Sequence, residues 1–381
     1  MSKLKVTTIS DPDNDNTALT IDSSGNVTAS QGFVPSTQLS HRNLIINGDM
    51  QVAQRATSAT TVTGAGVYNT LDKWKLWEAT TGNFTTEQSS EAPDGFGSSI
   101  KCAVTTAETD LSTDRYACIG QIIEAQNLQP LGYGTSSAKN VTISFWVRSS
   151  KTGTYSICLD KDDSTTYHYV KEYTISSANT WEKKTITVEP DSNIQASAGA
   201  INNDNGKGFR LFINLAWGSN YAGATDGVWS SNQNHFATSN QVNWMDSTSN
   251  DFYLTGVQLE VGSVATPFEH RSYGEELARC QRYYVQSVPG SRSASTQTNE
   301  MLFGRGESYI SWTYPVLMRT TPTVVTSNDT STGAGNYTVS GVGNYTNGVV
   351  LRNGPNQYAM LTPSTNSSYN TKTGYNADAE L

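Results

Sequence analysis

Between residues 43 and 270 the chain repeatedly alternates apolar and polar residues. Val141 to Val147, VTISFWV, puts Val141, Ile143, Phe145 and Val147 on one side. Phe209 to Leu215 does the same with Phe209, Leu211, Ile213 and Leu215. A period of two marks a strand with one face on a core, because successive side chains point to opposite faces. Lys73 to Ala79, Ile100 to Val104, Tyr116 to Ile123, Tyr155 to Leu159, Tyr167 to Ile175 and Trp181 to Val188 continue the series, and Leu44-Ile45-Ile46 precedes it. In Lys73 to Ala79, Trp74 and Leu76 share a face. There are about ten such runs, separated by polar or glycine-rich turns, and they predict an all-β sandwich. Long antiparallel runs of this kind suit a jelly roll.

The series ends at Asp251 to Glu260, where Phe252, Leu254, Val257 and Leu259 form the apolar set with a slip near Gly256. Gly262 and Pro267 interrupt it, and the period then becomes helical. Ser272 and Glu275 have capping-box spacing. Leu277, Cys280, Gln281 and Tyr284 share a face, so the helix is only partly apolar and reads as a short joint at a hinge.

With 381 residues, two or three domains are expected. Residues 1–42 hold too few apolar side chains for a core of their own and read as an extended arm, on the order of 130 Å if fully stretched. Leu19 to Ile21 and Val27-Thr28 flank Ser23-Ser24-Gly25-Asn26 as a hairpin would. The jelly roll occupies 43–270, the helical linker 271–286 and a small C-terminal β-sandwich 287–381. The last of these includes Met301 to Phe303, Ser308 to Trp312, Thr323 to Val325 and Gln357 to Leu361 as strands. It also holds a tandem echo, GNYTVSGV and GNYTNGVV, around Tyr337 and Tyr345.

Charge and motifs exclude several functions. The net charge is −9 and the longest basic feature is Lys183-Lys184. Neither nucleic acid nor anionic membrane is expected as a partner, since both need clustered cations. No apolar run reaches the length of a membrane span, and the N-terminus does not read as a secretory signal. The four cysteines, 102, 118, 158 and 280, have no paired spacing and read as buried thiols of a protein made in a reducing cytosol. No nucleophile elbow, metal-ligand spacing or phosphate loop occurs, so no catalytic residue, metal or cofactor is expected. Glu260 with Glu269, and Asp246 with Asp251, are the acid pairs a glycosidase would need, although acids in such places are mostly solvated or turn-capping.

The chemistry that remains lies in Trp217 to Trp244, WGSNYAGATDGVWSSNQNHFATSNQVNW, a long insertion between two strands. Flat rings stack on the CH face of a sugar, while amides pair with its hydroxyls. Trp217, Tyr221, Trp229, Asn232, His235 and Trp244 supply both, and Tyr337 and Tyr345 form a second candidate set. The same tryptophans suit a covered sandwich edge or a subunit contact equally well.

QLEVGSVATPFEHRSYGEELARCQRYY, ending at Tyr284, resembles the segment that closes the middle domain of bacteriophage tail-fibre proteins. NLIINGDMQVAQR at Asn43 to Arg55, then Tyr68 and Leu71-Asp72-Lys73-Trp74, is similar to that domain's opening. LTIDSSGNVTASQGF resembles the family's N-terminal attachment segments, and the last residues, 375–381, its final strand. The resemblance implies a jelly-roll middle domain and a homotrimer in the virion. Residues 1–42 would dock on tail or portal-proximal proteins, and the β-domains would adhere to host-surface polysaccharide without catalysis. By analogy it allows one structural calcium near Asp49 and Asp251. Two other readings stay open: a polysaccharide depolymerase tailspike, and a head fibre or decoration protein without receptor contact.

Overall fold

The computed structural model describes residues 6–10, 17–23, 27–29, 40–286, 310–327, 337–339, 343–345, 349–353, 358–363, 371–372 and 374–381. The chain divides into two units, 1–42 and 43–381. In the first, β1 (Thr8–Ser10), β2 (Thr17–Ile21) and β3 (Val27–Ala29) form one antiparallel sheet in that order. Ile21 pairs with Val27, which is the expected hairpin. Among the described side chains of this unit, every one is exposed or half-buried. The sheet is paired through its backbone, and none of its described side chains is buried.

The second unit is built on a two-sheet sandwich. Its strands are β4 (Thr60–Thr61), β5 (Lys75–Glu78), β6 (Asn83–Ser89), β7 (Ser99–Thr106), β8 (Tyr116–Glu124), β9 (Val141–Ser149), β10 (Gly153–Lys161), β11 (Tyr167–Ile175), β12 (Glu182–Val188), β13 (Lys207–Trp217), β14 (Val228–Ser230) and β15 (Asp251–Val261). The front sheet has the order β14-β11-β10-β13-β8-β5 and the back sheet β12-β9-β15-β7-β6-β4. All pairings within the two sheets are antiparallel. The fold is an all-β jelly-roll sandwich with few helices.

The apolar sets read from the sequence line the inner faces. Val141, Ile143, Phe145 and Val147 of the back sheet, and Phe209, Leu211, Ile213 and Leu215 of the front sheet, are all fully buried. Phe145 meets Tyr173 edge-on with ring centroids 5.2 Å apart, and Tyr155 meets Phe252 at 5.8 Å. Each fully buried aliphatic or aromatic side chain of this size contributes about 1.5–3 kcal/mol. The slip in β15 falls between Thr255 and Gln258, with Gly256 at a φ of 60°.

Leu44-Ile45-Ile46 is not a strand. Leu44 N keeps one backbone bond to Leu259 O at 2.8 Å, and side chains take over the others a ladder would have made. Gln121 accepts from Ile46 N at 2.8 Å and donates to Ile46 O at 2.8 Å. Asn43 Oδ1 accepts from Ile45 N and Leu259 N, and Asn43 Nδ2 donates to Val257 O. Asn47, in the left-handed region, ties Val52 and Asp72 together through its amide. Gly48 sits so close to β15 that a Cβ there would lie 2.2 Å from Val257 O. A Gly48→Ala variant is therefore expected to lose about 1–3 kcal/mol of stability, measured by urea unfolding, because the obstructing atom is backbone and cannot rotate away.

The helix α1 is one turn at Ser192–Gln195, and α2 spans Tyr273–Gln281. Ser272 Oγ accepts from Glu275 N at 3.3 Å, the predicted cap. The joint is anchored on the sandwich along its length. Glu276 accepts from Asn47 N and faces Arg271 at 3.3 Å. Arg282 donates twice to Glu124, each bond 2.8 Å, and Tyr283 OH donates to the same carboxylate. Cys280, Tyr283, Tyr284 and Val285 are buried.

Beyond α2, β16 (Tyr284–Gln286), β17 (Ile310–Thr313), β18 (Thr323–Ser327), β19 (Tyr337–Val339), β20 (Gly343–Tyr345), β21 (Val349–Asn353), β22 (Tyr358–Pro363), β23 (Thr371–Lys372) and β24 (Gly374–Asp378) form three small sheets, β16-β24-β18, β17-β22-β21 and β20-β19-β23. The tandem echo is a hairpin in which Tyr337 pairs with Tyr345. Gly343-Asn344 lies inside β20 rather than at a turn. Met301 to Phe303 lies outside the described residues.

A buried charge cluster closes the β16–β24 end onto the sandwich. Arg55 faces Asp72 at 3.6 Å and Glu380 at 3.3 Å, and Lys73 faces Glu380 at 3.3 Å. The two cations also lie over rings, Arg55 over Tyr284 at 3.6 Å and Lys73 over Tyr283 at 3.4 Å. Burial pushes the Asp72 carboxyl up to about 6, against the opposing pull of Arg55 and Gln54. The folded protein thus holds this proton more tightly than the unfolded chain does. Acidification from pH 6 towards pH 4 should add stability from Asp72, up to about 3 kcal/mol, and rising pH should remove it. Asp72→Asn should abolish that component, read as the difference between wild-type and variant unfolding free energies from pH 4 to pH 7.

Candidate functional site

The outer face of the front sheet carries an aromatic cluster near β5, β8 and β13. Trp77, Tyr116, Cys118, Phe212 and Trp217 point outward there, with Arg210, and Tyr221 and Phe236 descend from the 218–243 insertion to complete a pocket. The cavity has a volume of about 290 Å³. Gly120 makes the floor possible. A Cβ on it would lie 3.0 Å from the Trp77 ring and 2.2 Å from Leu211 O. Without that Cβ, Trp77 reaches across β8 to Phe212, centroids 4.9 Å apart.

One wall is a stack of three rings. Trp217 lies parallel to Phe236 at 4.9 Å on one side and stacks on Tyr116 at 5.2 Å on the other. Both faces of the indole are thereby covered, and Trp217 is buried. Tyr221 meets Tyr116 and Phe236 edge-on. The half-buried rings of Trp77, Tyr116, Tyr221 and Phe236 are the ones a ligand can touch. Burial pushes the Cys118 thiol up, so it serves as apolar wall and not as a nucleophile.

Polar side chains of the sheet hold the insertion over this face. Asn214 Nδ2 donates to Phe236 O at 2.7 Å and to Ser156 Oγ at 2.9 Å. Thr238 and Asn240 donate to Glu172. A transverse row runs through the register, with Arg210 opposite Asp160, Asp160 opposite His168 and His168 opposite Ser230. Asp160 is fully buried, bound by Arg210 on one side and 3.3 Å from His168 Nε2 on the other. His168 Nδ1 donates to the carbonyl of His235 at 3.1 Å and so ties the row to the insertion. The His235 ring is placed by Asn232, whose amide donates to Nε2 at 2.9 Å, and Nδ1 then donates to Ser230 Oγ at 3.0 Å. Burial, followed by the neighbouring His168, pushes the His235 imidazole down from its ordinary value, in keeping with that neutral ring.

The residues singled out in the insertion therefore separate. Trp217 and Tyr221 line the pocket. Asn232 and His235 stand behind it as loop supports. Trp229 belongs to a different place, a groove of about 400 Å³ at the sandwich edge with Tyr169, Glu189 and Val228, where its Nε1 donates to Glu189 O at 2.9 Å. Trp244 is a correction. It is fully buried in the core between Phe84 and Phe252, because the chain turns inward to start β15, and no ligand can reach it. Tyr337 and Tyr345 are described only as paired backbone; their side chains lie outside the described residues. The reading of the insertion alone missed Trp77, Tyr116, Arg210, Phe212 and Phe236.

Three of the four paired acids are occupied by structural bonds. Glu260 accepts from Gln258 Nε2, Thr266 N and Thr266 Oγ1. Glu269 accepts from Asn43 N and Arg271, each at 3.0 Å. Asp246 binds Lys151 and Asn250. Among the described residues no group of three or more His, Cys, Asp or Glu side chains is arranged for a metal, and no helix is long and apolar enough to cross a membrane.

Fold and site together define a jelly-roll sandwich with an aromatic pocket on the outer face of one sheet. No protein-family model matches the chain, and no curated protein matches it in sequence. Solved structures do align. The enzymatically active domain of tailspike protein 4 from bacteriophage CBA120 is 12% identical over 57% of this chain, with a TM-score of 0.30, and the match spans 21% of that domain's own length. A putative sugar-binding protein from Bacteroides thetaiotaomicron is 12% identical over 58% of this chain and all of its own, with a TM-score of 0.31. The module TmCBM61, solved in complex with β-1,4-galactotriose, is 10% identical over 58% of this chain and 99% of its own, with a TM-score of 0.28.

Proposed function

We propose that this chain is an adhesion subunit of a bacteriophage fibre that binds a host-surface saccharide in the front-sheet pocket. The observation behind this reading is the pocket itself. Four half-buried aromatic rings and a fixed guanidinium surround a cavity of about 290 Å³, close to the lower end of the range for small-ligand sites. Rings of this kind suit the CH face of a sugar, and the guanidinium suits its oxygens.

In this proposal residues 1–42 dock on a tail or portal-proximal protein, and the chain works as a homotrimer made in the host cytoplasm and carried on the virion. The first unit favours that role, because its described apolar side chains Val6 and Val27 are exposed and would gain cover against another surface. Three copies turn a weak site into a strong attachment through effective concentration. The proposed adhesion requires no bond cleavage.

The test is retention of the purified full-length chain on a panel of immobilised bacterial surface polysaccharides. Retention by at least one polysaccharide, released by the matching free oligosaccharide, is the expected result. Failure to bind any polysaccharide, or retention that survives removal of the Trp77 ring, would contradict the reading.

A further inference from the structure

The pocket lining is unbalanced in hydrogen-bonding character. Sugar hydroxyls are donors as well as acceptors, so amide or carboxylate oxygens facing the ligand favour a neutral sugar. The lining of Trp77, Tyr116, Cys118, Arg210, Phe212, Trp217, Tyr221 and Phe236 includes no Asn, Gln, Asp or Glu. Its strong polar groups are donors. Arg210 and the indole N–H groups have no acceptor atom, the Tyr116 and Tyr221 hydroxyls are the side-chain oxygens of the lining, and Trp217 Nε1 is buried without a hydrogen-bond partner among the described residues.

Arg210 is held with one edge open. Its Nε and Nη2 are bound by Asp160, and Nη2 lies 3.2 Å from Asp162. Nη1 makes no hydrogen bond among the described residues. The two aspartates fix the guanidinium plane, so the open edge is already oriented and little rotamer entropy is lost when it is used.

Two lysines lie near Arg210, in a chain whose net charge is −9. Lys207 Nζ lies 3.9 Å from Asp162, and Lys75 Nζ lies 5.6 Å from the Trp77 ring. Lys75 is held below its ordinary value first by burial and then by Lys207, and its ammonium donates to Leu381 O at 2.8 Å. Glu380 acts on Lys75 in the opposite sense, but its carboxylate is engaged by Arg55 and Lys73. Lys207 and Arg210 face the two carboxylates Asp160 and Asp162.

We infer that the ligand of this pocket is an acidic sugar, one whose ring carries a carboxylate or phosphate set against the open edge of Arg210. This rests on the saccharide reading above and narrows it. An anion supplies acceptors without donors, which is what the lining lacks, and the ring bearing it can still lie on Trp77.

The test is calorimetric titration of the full-length protein with glucuronate, galacturonate and N-acetylneuraminate, alongside glucose and galactose as neutral counterparts and glucose 6-phosphate. At least one acidic sugar should bind about tenfold more tightly than its neutral counterpart, as a charge-assisted hydrogen bond requires. Added salt should narrow that margin. Glucose 6-phosphate binding in place of the carboxylates would identify the anion as phosphate. Lys207→Gln, at a half-exposed position that spares the Arg210 clamp, should weaken acidic sugars alone, and Arg210→Lys should keep part of the preference. Equal, Trp77-dependent affinity for acidic and neutral sugars would overturn the inference and leave the pocket reading intact. No Trp77-dependent binding of any sugar would overturn both.

Discussion

Trp77→Ala is expected to cost about 2 kcal/mol or more in saccharide binding, a roughly thirtyfold rise in Kd, with little change in unfolding midpoint. The ring is half-buried and outside the sandwich core, and it packs on Phe212 across the space left by Gly120. Removing it deletes stacking surface without opening the interior. Tyr221→Ala should act in the same direction and less strongly, since that ring meets its neighbours edge-on. Trp217→Ala should behave differently, lowering both affinity and stability. It removes the middle ring of the Tyr116–Trp217–Phe236 stack that seats the insertion. Trp229→Ala should leave pocket affinity unchanged, because its ring lines the separate edge groove. Titration of the four variants with one saccharide, beside thermal unfolding, separates these outcomes.

The largest stability effect is expected from Lys73→Met. The side chains of Lys73, Arg55, Asp72 and Glu380 are buried, two cations against two carboxylates, with the exposed Asp378 also 3.6 Å from Arg55. Taking away the Lys73 ammonium leaves Arg55 to serve both acids in a place water does not reach. Breaking a buried pair in this way costs about 3–5 kcal/mol. A combined Lys73→Met, Glu380→Gln variant should recover much of that loss, because the uncompensated charge goes with the second substitution. Urea unfolding of the single and double variants gives the comparison. Beside the cluster, Arg319 donates to the carbonyls of Ala379, Glu380 and Asn205 and so ties the chain end to the sandwich. The single variant should therefore loosen the β16–β24 sheet first, read by hydrogen exchange at Val285 and Ala377.

The sandwich was legible because its inner faces obey a period of two almost without interruption. Phe209, Leu211, Ile213 and Leu215 needed nothing beyond their spacing. The bulge at Gly256 and the cap at Ser272 were legible for the same reason, since local chemistry decides them. Leu44-Ile45-Ile46 was misread because a strand pattern does not reveal that Gln121, far along the chain, will supply the ladder bonds. The pocket was half legible. An aromatic-rich insertion announced Trp217 and Tyr221, yet Trp244 has the same composition around it and belongs to the core. What separates them is where the chain goes after β13, a long-range fact. The missed half did leave a trace. Trp77, Arg210 and Phe212 occupy the polar phase of strands whose other phase is already apolar, and aromatic residues on both phases mean that both faces of the sheet are covered. Tyr116 could be assigned to that face only with the register of β8 against β5 and β13 in hand.

The central claim, that the outer face of the front sheet holds a sugar, is tested most directly by a crystal structure of the chain soaked with an oligosaccharide that retains it. The account predicts one sugar ring lying on Trp77 between Tyr221 and Arg210, with an acceptor within hydrogen-bond reach of Arg210 Nη1. A saccharide seated in the edge groove beside Trp229, or on the C-terminal sheets with the front pocket empty, would contradict it.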